Sequence, residues 1–515
     1  MNFTNNKING LLLLVILLAT GCYKDKSNDS LIPINEIKID DPKSKSVITV
    51  FPGETLNLKP ELTLSMKEKM DKLDFSWTLY NSNGNISLAS PRTVITNEYE
   101  LKYPITPDIF TLGEPYVLRL KVTDRESGVG SYITYRIVIG NKYGNGWILL
   151  EDKNGAGDLS FIFPDNTVEN NVYTSRNTAP LVKPTKLQIT TFSISEDISP
   201  SGKRLYILAD GGSQEYNYLT MVKKFDYSHL FYLAPSIQKP QLLTWVSTTA
   251  TSSKLANLGL IVNNGKAHTN LVGGFPGVKK WGDAALNTSG NLNYSLAPYA
   301  VGGPNVDGMF YDNTSKRFYS VIAYSPTPGA GSLTAFPPNA STSAFDLNNV
   351  GMDMLFLDSA DQVHQYNAIM KSADNKPWLL RFKTQNTSTA TPNLTIEKKE
   401  MNAPGVLNYT AAAGSTNTGH IYYGNANVLS RYETGSNTVV ENYTFPAGEN
   451  VTAIKYAKFT YQDTAPVKLA RLVVATWNGT EGKLYYFTLS QLGAMGSFTK
   501  QFTGFSKIVD LAYKY

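Results

Sequence analysis

Apolar positions along this chain fall in short runs separated by Gly, Asn, Asp and Pro, and no long stretch carries the period of an amphipathic helix. The sharpest runs are Gly146-Trp147-Ile148-Leu149-Leu150-Glu151-Asp152 and Gly157-Asp158-Leu159-Ser160-Phe161-Ile162-Phe163. The polar connection between them, Lys153 to Gly157, predicts two antiparallel strands joined by a loop. Upstream, from about residue 31 to 140, alternating runs end at turn clusters. Asp74 to Tyr80 places apolar residues at 75, 77 and 79, Tyr116 to Asp124 alternates from Leu118 onward, and Ser131 to Ile139 forms a closing strand. Short strands punctuated this way predict an immunoglobulin-like β-sandwich with Trp77 in its core. Leu64 to Leu73 carries one short helical hint, read as a connector.

Downstream, from 141 to 515, the pattern repeats. Strand-like runs at Val451–Ala457, Leu469–Thr476, Gly482–Leu489 and Thr499–Phe505 make one four-strand unit. Further units open near residues 365 and 408, with earlier first strands expected at Thr190–Ser195, Ala256–Val262 and Val306–Tyr311. Four short strands every 40–50 residues are the signature of β-propeller blades, and at about 50 residues per blade this region holds seven, with six or eight also open. The terminal run Ile508 to Lys514 resembles the first strand of a blade, yet no second strand follows it. The pair at 147–163 lacks a first strand of its own. The economical solution is a ring closed by the C-terminal strand, which removes two unpaired edges.

The first 21 residues stand apart. Lys7, an apolar run from Leu11 to Ala19 and small residues before Cys22 form a signal peptide, with an apolar core too short to span a bilayer. Ala19-Thr20-Gly21-Cys22 resembles a bacterial lipobox, which makes Cys22 the lipidation site. It is the sole cysteine in 515 residues, so no disulfide can form within the chain. Acyl chains on Cys22 would anchor the protein. Residues 22–30 read as a flexible tether, and Lys24-Asp25 is similar to the surface-export signal of Bacteroidetes lipoproteins. The net charge of +5 with only 17 % charged residues, and no basic cluster, excludes a nucleic-acid footprint. An aromatic content of 11 % with 31 Tyr suits a secreted all-β chain.

Chemistry-bearing motifs are sparse. His229, His268, His364 and His420 are scattered with no metal-ligand spacing, so neither metal nor cofactor is expected. Asp358-Ser359-Ala360-Asp361 lacks the further acidic ligands of a calcium loop. Asp152, Asp210 and Asp307 are candidates for the paired carboxylates of a hydrolase, and equally turn residues. The chain therefore reads as a binding protein rather than an enzyme. Connections between second and third strands of each blade would open on one face. Those loops supply Asp210, Tyr216, Asn425, Trp477 and Asn478 as candidate ligand contacts. Trp281, in Lys279-Lys280-Trp281-Gly282-Asp283, is the candidate exposed aromatic, whereas Trp477 also fits a core position.

Phe75-Ser76-Trp77 and Tyr116 to Asp124 resemble the polycystic-kidney-disease (PKD) type of immunoglobulin-like domain. Together with the lipobox, the motif at 146–162 and the ending Phe505 to Lys514, the whole chain resembles the PKD-like family lipoproteins of Bacteroidetes. That resemblance implies an outer-membrane, lipid-anchored protein facing the cell exterior. It implies work beside a SusC-type TonB-dependent transporter and its SusD-type lipoprotein, helping capture an oligosaccharide or peptide. The alternative is a surface glycan- or peptide-degrading hydrolase or lyase.

Overall fold

The computed structural model describes residues 34–514 except 67–70, 82–91, 107–108, 111–114, 191–203, 211, 248–256, 273–279, 304–305, 323–330, 385–392 and 458–469. The lipidation site expected at Cys22, the expected signal peptide and the expected tether lie outside the described residues. The chain divides into two compact units between Asn141 and Lys142.

The first unit is a β-sandwich. One sheet orders its strands Val47–Val50, Gly130–Ile139, Pro115–Asp124, Leu73–Asn81 and Arg92–Thr96, with the first pair parallel. Facing it are two small ladders, Ile37–Asp40 with Glu61–Leu64 and Thr55–Leu58 with Leu101–Pro104. The alternation in Pro115–Asp124 puts Leu118, Leu120 and Val122 on the inner face. Trp77 is fully buried there and stacks on Tyr135 at 5.9 Å. Of the helical hint at Leu64–Leu73, residues 67–70 lie outside the described residues, Asp71 and Lys72 form a 3-10 turn, and Leu64 and Leu73 both belong to strands.

The second unit is a seven-bladed propeller. The inner strands of blades 1 to 7 are Lys507–Lys514, Pro184–Thr190, Pro240–Ser247, Leu296–Gly303, Asp353–Ser359, Ala411–Gly414 and Asn450–Ala457. Each pairs antiparallel with the second strand of its blade. Among the described residues blade 3 has three regular strands, and a later segment donates Gly282 N–H to Thr269 O and Ala285 N–H to Ala267 O, standing in for a fourth.

Second strands are apolar at nearly every position because both of their faces are buried between blades. In Gly146–Lys153, Ile148 and Leu150 pack with Leu205 and Ile207 of blade 2. Trp147 and Leu149 turn the other way, onto Val473 and Ala475 of blade 7. The same division recurs at every junction, giving seven apolar cores among the described residues.

The C-terminal strand closes the ring. Trp147 pairs with Tyr513, Leu149 with Leu511 and Asp152 with Lys507, across one bulge after Leu150. The Trp147 and Tyr513 rings meet edge to face at 5.2 Å. One polar residue of the 146–162 motif holds this seam. The buried Glu151 accepts from the Ser506 N–H at 2.6 Å and from the Ser160 hydroxyl. Away from the seam, Asp158 accepts from the Tyr173 N–H at 3.1 Å and from Lys153 Nζ at 3.0 Å within blade 1.

Three segments expected to open blades are second strands instead: Asn257–Asn263, Val306–Asp312 and Gln365–Lys371. Their inner strands carry proline, glycine and charge, as in Leu296-Ala-Pro-Tyr-Ala-Val-Gly-Gly303. One edge of an inner strand faces the channel, so its apolar signal is weaker than that of the strand behind it. Of the strand expected at Thr190–Ser195, residues 191–195 lie outside the described residues.

Candidate functional site

All seven inner strands surround a central cavity of about 670 Å³, within the ~300–1,000 Å³ range of small-ligand sites. Its wall combines the aromatic residues Trp245, Tyr299, Tyr366 and Tyr409 with four charged ones: Lys186, Asp358, Lys455 and Asp510. Each comes from an inner strand or the residues beside it, except Tyr366, which lies at the start of the second strand of blade 5.

Most of the polar groups on this wall are committed to neighbouring blades. Asp510 Oδ2 accepts from the Leu187 N–H of blade 2 at 2.8 Å, and Oδ1 accepts from the Leu511 N–H at 2.9 Å. Lys455 Nζ of blade 7 lies 3.6 Å from Asp510 Oδ1. Asp358 Oδ2 accepts from the Gly414 N–H of blade 6 at 2.9 Å, and Oδ1 from the Ser359 N–H at 2.7 Å. The Tyr299 hydroxyl donates to Leu355 O at 3.0 Å, and Tyr366 donates to Gly302 O at 3.1 Å. The two aspartates thus fasten adjacent inner strands whose edges would otherwise go unpaired.

Burial pushes the Asp358 carboxyl above the usual carboxylate range, against the pull of its two backbone donors and of Lys455 and Lys186. Burial pushes Lys186 below the usual lysine range; Lys455 adds to that shift, and Asp510 and Asp358 oppose it. Opposed shifts of this kind mark groups held in a low-dielectric cavity.

The residues singled out from sequence are distributed differently. Asp210, Asn425, Trp477 and Asn478 sit at the hairpins between second and third strands, and alternating strand direction brings these hairpins to one face of the ring. Asp210 is exposed, 3.8 Å from Lys183. Asn478 Oδ1 accepts from the Thr480 and Glu481 N–H groups and serves its own turn. Asn425 and Trp477 are half-buried.

Two of the aromatic candidates are corrected. Trp281 is 0 % exposed and packs edge to face on Trp245 at 5.3 Å. Its polar sequence neighbours do not report the tertiary packing that covers it. Gly259, directly opposite Trp245, makes room for the two indoles, since a Cβ there would lie 2.8 Å from Trp281 Cζ2. Tyr216 is 1 % exposed and packs on Tyr173 at 5.8 Å, because it belongs to a third strand rather than a loop.

The carboxylate candidates also separate. Asp152 Oδ1 accepts from the Gly155 N–H as a turn residue, and Asp307 falls in the strand Val306–Asp312. Asp361 pairs with Arg381 at 3.2 Å. Among the described residues no group of three or more His, Asp or Glu side chains could hold a metal ion.

Sequence reasoning missed the channel residues Lys186, Trp245, Tyr299, Tyr409 and Lys455. Aligning the inner strands blade by blade is the signal that would have found them.

A family model described as "PKD-like family" matches residues 22–183, which takes in the sandwich and most of blade 1. No curated protein matches the chain. Among solved structures, a quinonprotein alcohol dehydrogenase-like protein from Bacteroides thetaiotaomicron is similar at 12 % identity and a TM-score of 0.42, over 94 % of this chain and 100 % of that one. A Synechocystis apocarotenoid oxygenase mutant is similar at 8 % identity and 0.39, over 86 % and 92 %. The WD40 domain of Toxoplasma gondii coronin is similar at 9 % identity and 0.36, over 69 % and 82 %.

Proposed function

We propose that this chain is a lipid-anchored outer-membrane protein that captures an oligosaccharide or peptide at the cell exterior. It passes that ligand to a TonB-dependent transporter of SusC type with its SusD-type partner. The observation that carries the binding reading is the central cavity, whose lining brings four aromatic residues together with polar and charged ones. Aromatic faces suit the apolar faces of sugars and the flat surfaces of peptide side chains. Cys22 and the PKD-like match at 22–183 support the anchored, accessory part of the reading.

Extraction of the lipidated protein from membranes in mild detergent tests the proposal. The expected result is co-purification with a large β-barrel protein. Recovery as a free monomer under several extraction conditions would count against it.

A second reading, a hydrolase or lyase working in the same channel, is favoured by one observation: burial raises the Asp358 pKa, as a general acid requires. Against it, both Asp358 oxygens already accept backbone hydrogen bonds. Turnover of a glycan or peptide panel that is lost in Asp358→Asn would favour this reading over capture.

A further inference from the structure

Taking the channel as the capture site of the function proposed above, its charged groups specify what kind of ligand fits. Of the four, three are already engaged. Asp358 accepts from the Gly414 and Ser359 N–H groups, one on each oxygen, and Asp510 from those of Leu187 and Leu511. Lys455 is drawn to Asp510 at 3.6 Å. Lys186 Nζ makes no hydrogen bond or close ion pair among the described residues, although the side chain is half-buried and lines the cavity; Asp510 and Asp358 act on it only as more distant charges. A partly desolvated ammonium without an acceptor is costly, and an incoming anion offsets that cost.

We infer that the propeller channel binds a ligand carrying a carboxylate, which Lys186 receives while the aromatic wall holds the adjoining ring or chain. Trp245, Tyr299 and Tyr409 line the same cavity as Lys186, so one small ligand can meet both kinds of group. Lys186 lies two residues into the inner strand of blade 2, and Asp510 holds the next residue by its backbone N–H. The ammonium is therefore presented by a fixed backbone rather than by a loop. A carboxylate can come from an acidic sugar or from the C-terminus of a peptide, and the chemistry at Lys186 is the same for both. Burial lowers the Lys186 pKa against the pull of Asp510 and Asp358, and a bound carboxylate would favour the charged form again.

The test is a calorimetric titration of the chain from Tyr23 onward with two pairs of probes. One pair is tri-galacturonate and its methyl ester, and the other is a tripeptide with a free C-terminus and its amide. The expected result is that the carboxylate member of at least one pair binds about tenfold tighter or more, the range of a charge-assisted hydrogen bond. The pair that responds identifies the source. Lys186→Gln is expected to abolish the discrimination, and Lys186→Arg to keep it. Thermal unfolding of both variants monitors folding. Equal binding of charged and neutral probes, or binding of no carboxylate probe up to millimolar concentration, overturns the inference. So does discrimination that survives in a folded Lys186→Gln protein. Because the titration needs no transporter, carboxylate binding without co-purification of a β-barrel would sink the uptake proposal and leave this inference standing.

Discussion

Glu151 is where the beginning and end of the propeller meet, and replacing it tests the closure of the ring. Its carboxylate is 3 % exposed and accepts from the Ser506 N–H, 355 residues away, and from the Ser160 hydroxyl. In Glu151→Ala, the Ser160 hydroxyl can turn to Asn170 Oδ1, already 2.8 Å away. The Ser506 N–H loses its side-chain acceptor. A hydrogen bond to a charged group contributes about 1.5–3 kcal/mol, and an orphaned buried donor costs about 1–3 kcal/mol. Since both describe the same lost bond, the expected destabilisation is about 2–3 kcal/mol. Glu151→Gln keeps an acceptor and loses the charge, so about 1 kcal/mol is expected. Glu481→Ala is the control: its carboxylate also accepts from a backbone N–H, that of Gly504, but in an exposed position where water replaces it. Equilibrium unfolding in urea, followed by tryptophan fluorescence, reads these differences. Five of the six tryptophans, all but Trp77, belong to the propeller, so its transition dominates the signal. If Glu151→Ala leaves the midpoint where Glu481→Ala does, Glu151 does not hold the seam.

Further outcomes follow from groups elsewhere in the blades. Arg204 and Glu215 form a buried ion pair, both side chains under 5 % exposed. Arg204→Met alone is expected to cost about 3–5 kcal/mol by stranding the carboxylate, and Arg204→Met with Glu215→Leu to recover most of it. Urea midpoints of the single and double variants check this, and equal losses in both would contradict it. Burial lowers the His268 pKa from its ordinary 6.5. Neutral His268 therefore contributes stability that is complete above pH 6.5 and lost as the unfolded state takes up a proton below it. The fall in melting temperature from pH 7.5 to 5.5 is expected to shrink in His268→Asn. His420, shifted in the same direction, retains its share. An unchanged fall would contradict the assignment.

How much was legible in the sequence depended on what buries each residue. Second strands such as Gly146–Lys153 and Arg471–Trp477 were plain, because packing against two neighbours demands an unbroken apolar run. Closure was legible from the blade-like run Ile508 to Lys514, which pairs with Gly146–Lys153 as the inner strand of blade 1. Trp77 was legible as a core residue because its strand alternates in a two-sided sandwich.

The channel was not legible. Its residues come from seven inner strands far apart in the chain, and only the ring brings Lys186, Asp358 and Lys455 together. Neither was the burial of Trp281, which depends on Gly259 leaving space one strand away. Loop residues such as Asn478 look available in sequence, yet their side chains are spent on their own turns.

The measurement that bears most directly on the ring is a disulfide across the seam. Ile148 and Ala512 are directly paired and share one face, packing into the same core. Opposed residues in an antiparallel pair hold their Cβ atoms about 4.5–5.5 Å apart, close to what a disulfide spans. The chain from Tyr23 onward has no cysteine, so Ile148→Cys with Ala512→Cys introduces the only two thiols. Mild oxidation followed by proteolysis and mass spectrometry is expected to yield one intramolecular peptide linking positions 148 and 512. Two freely alkylated thiols, or linkage only between molecules, would contradict a propeller closed by its own C-terminal strand.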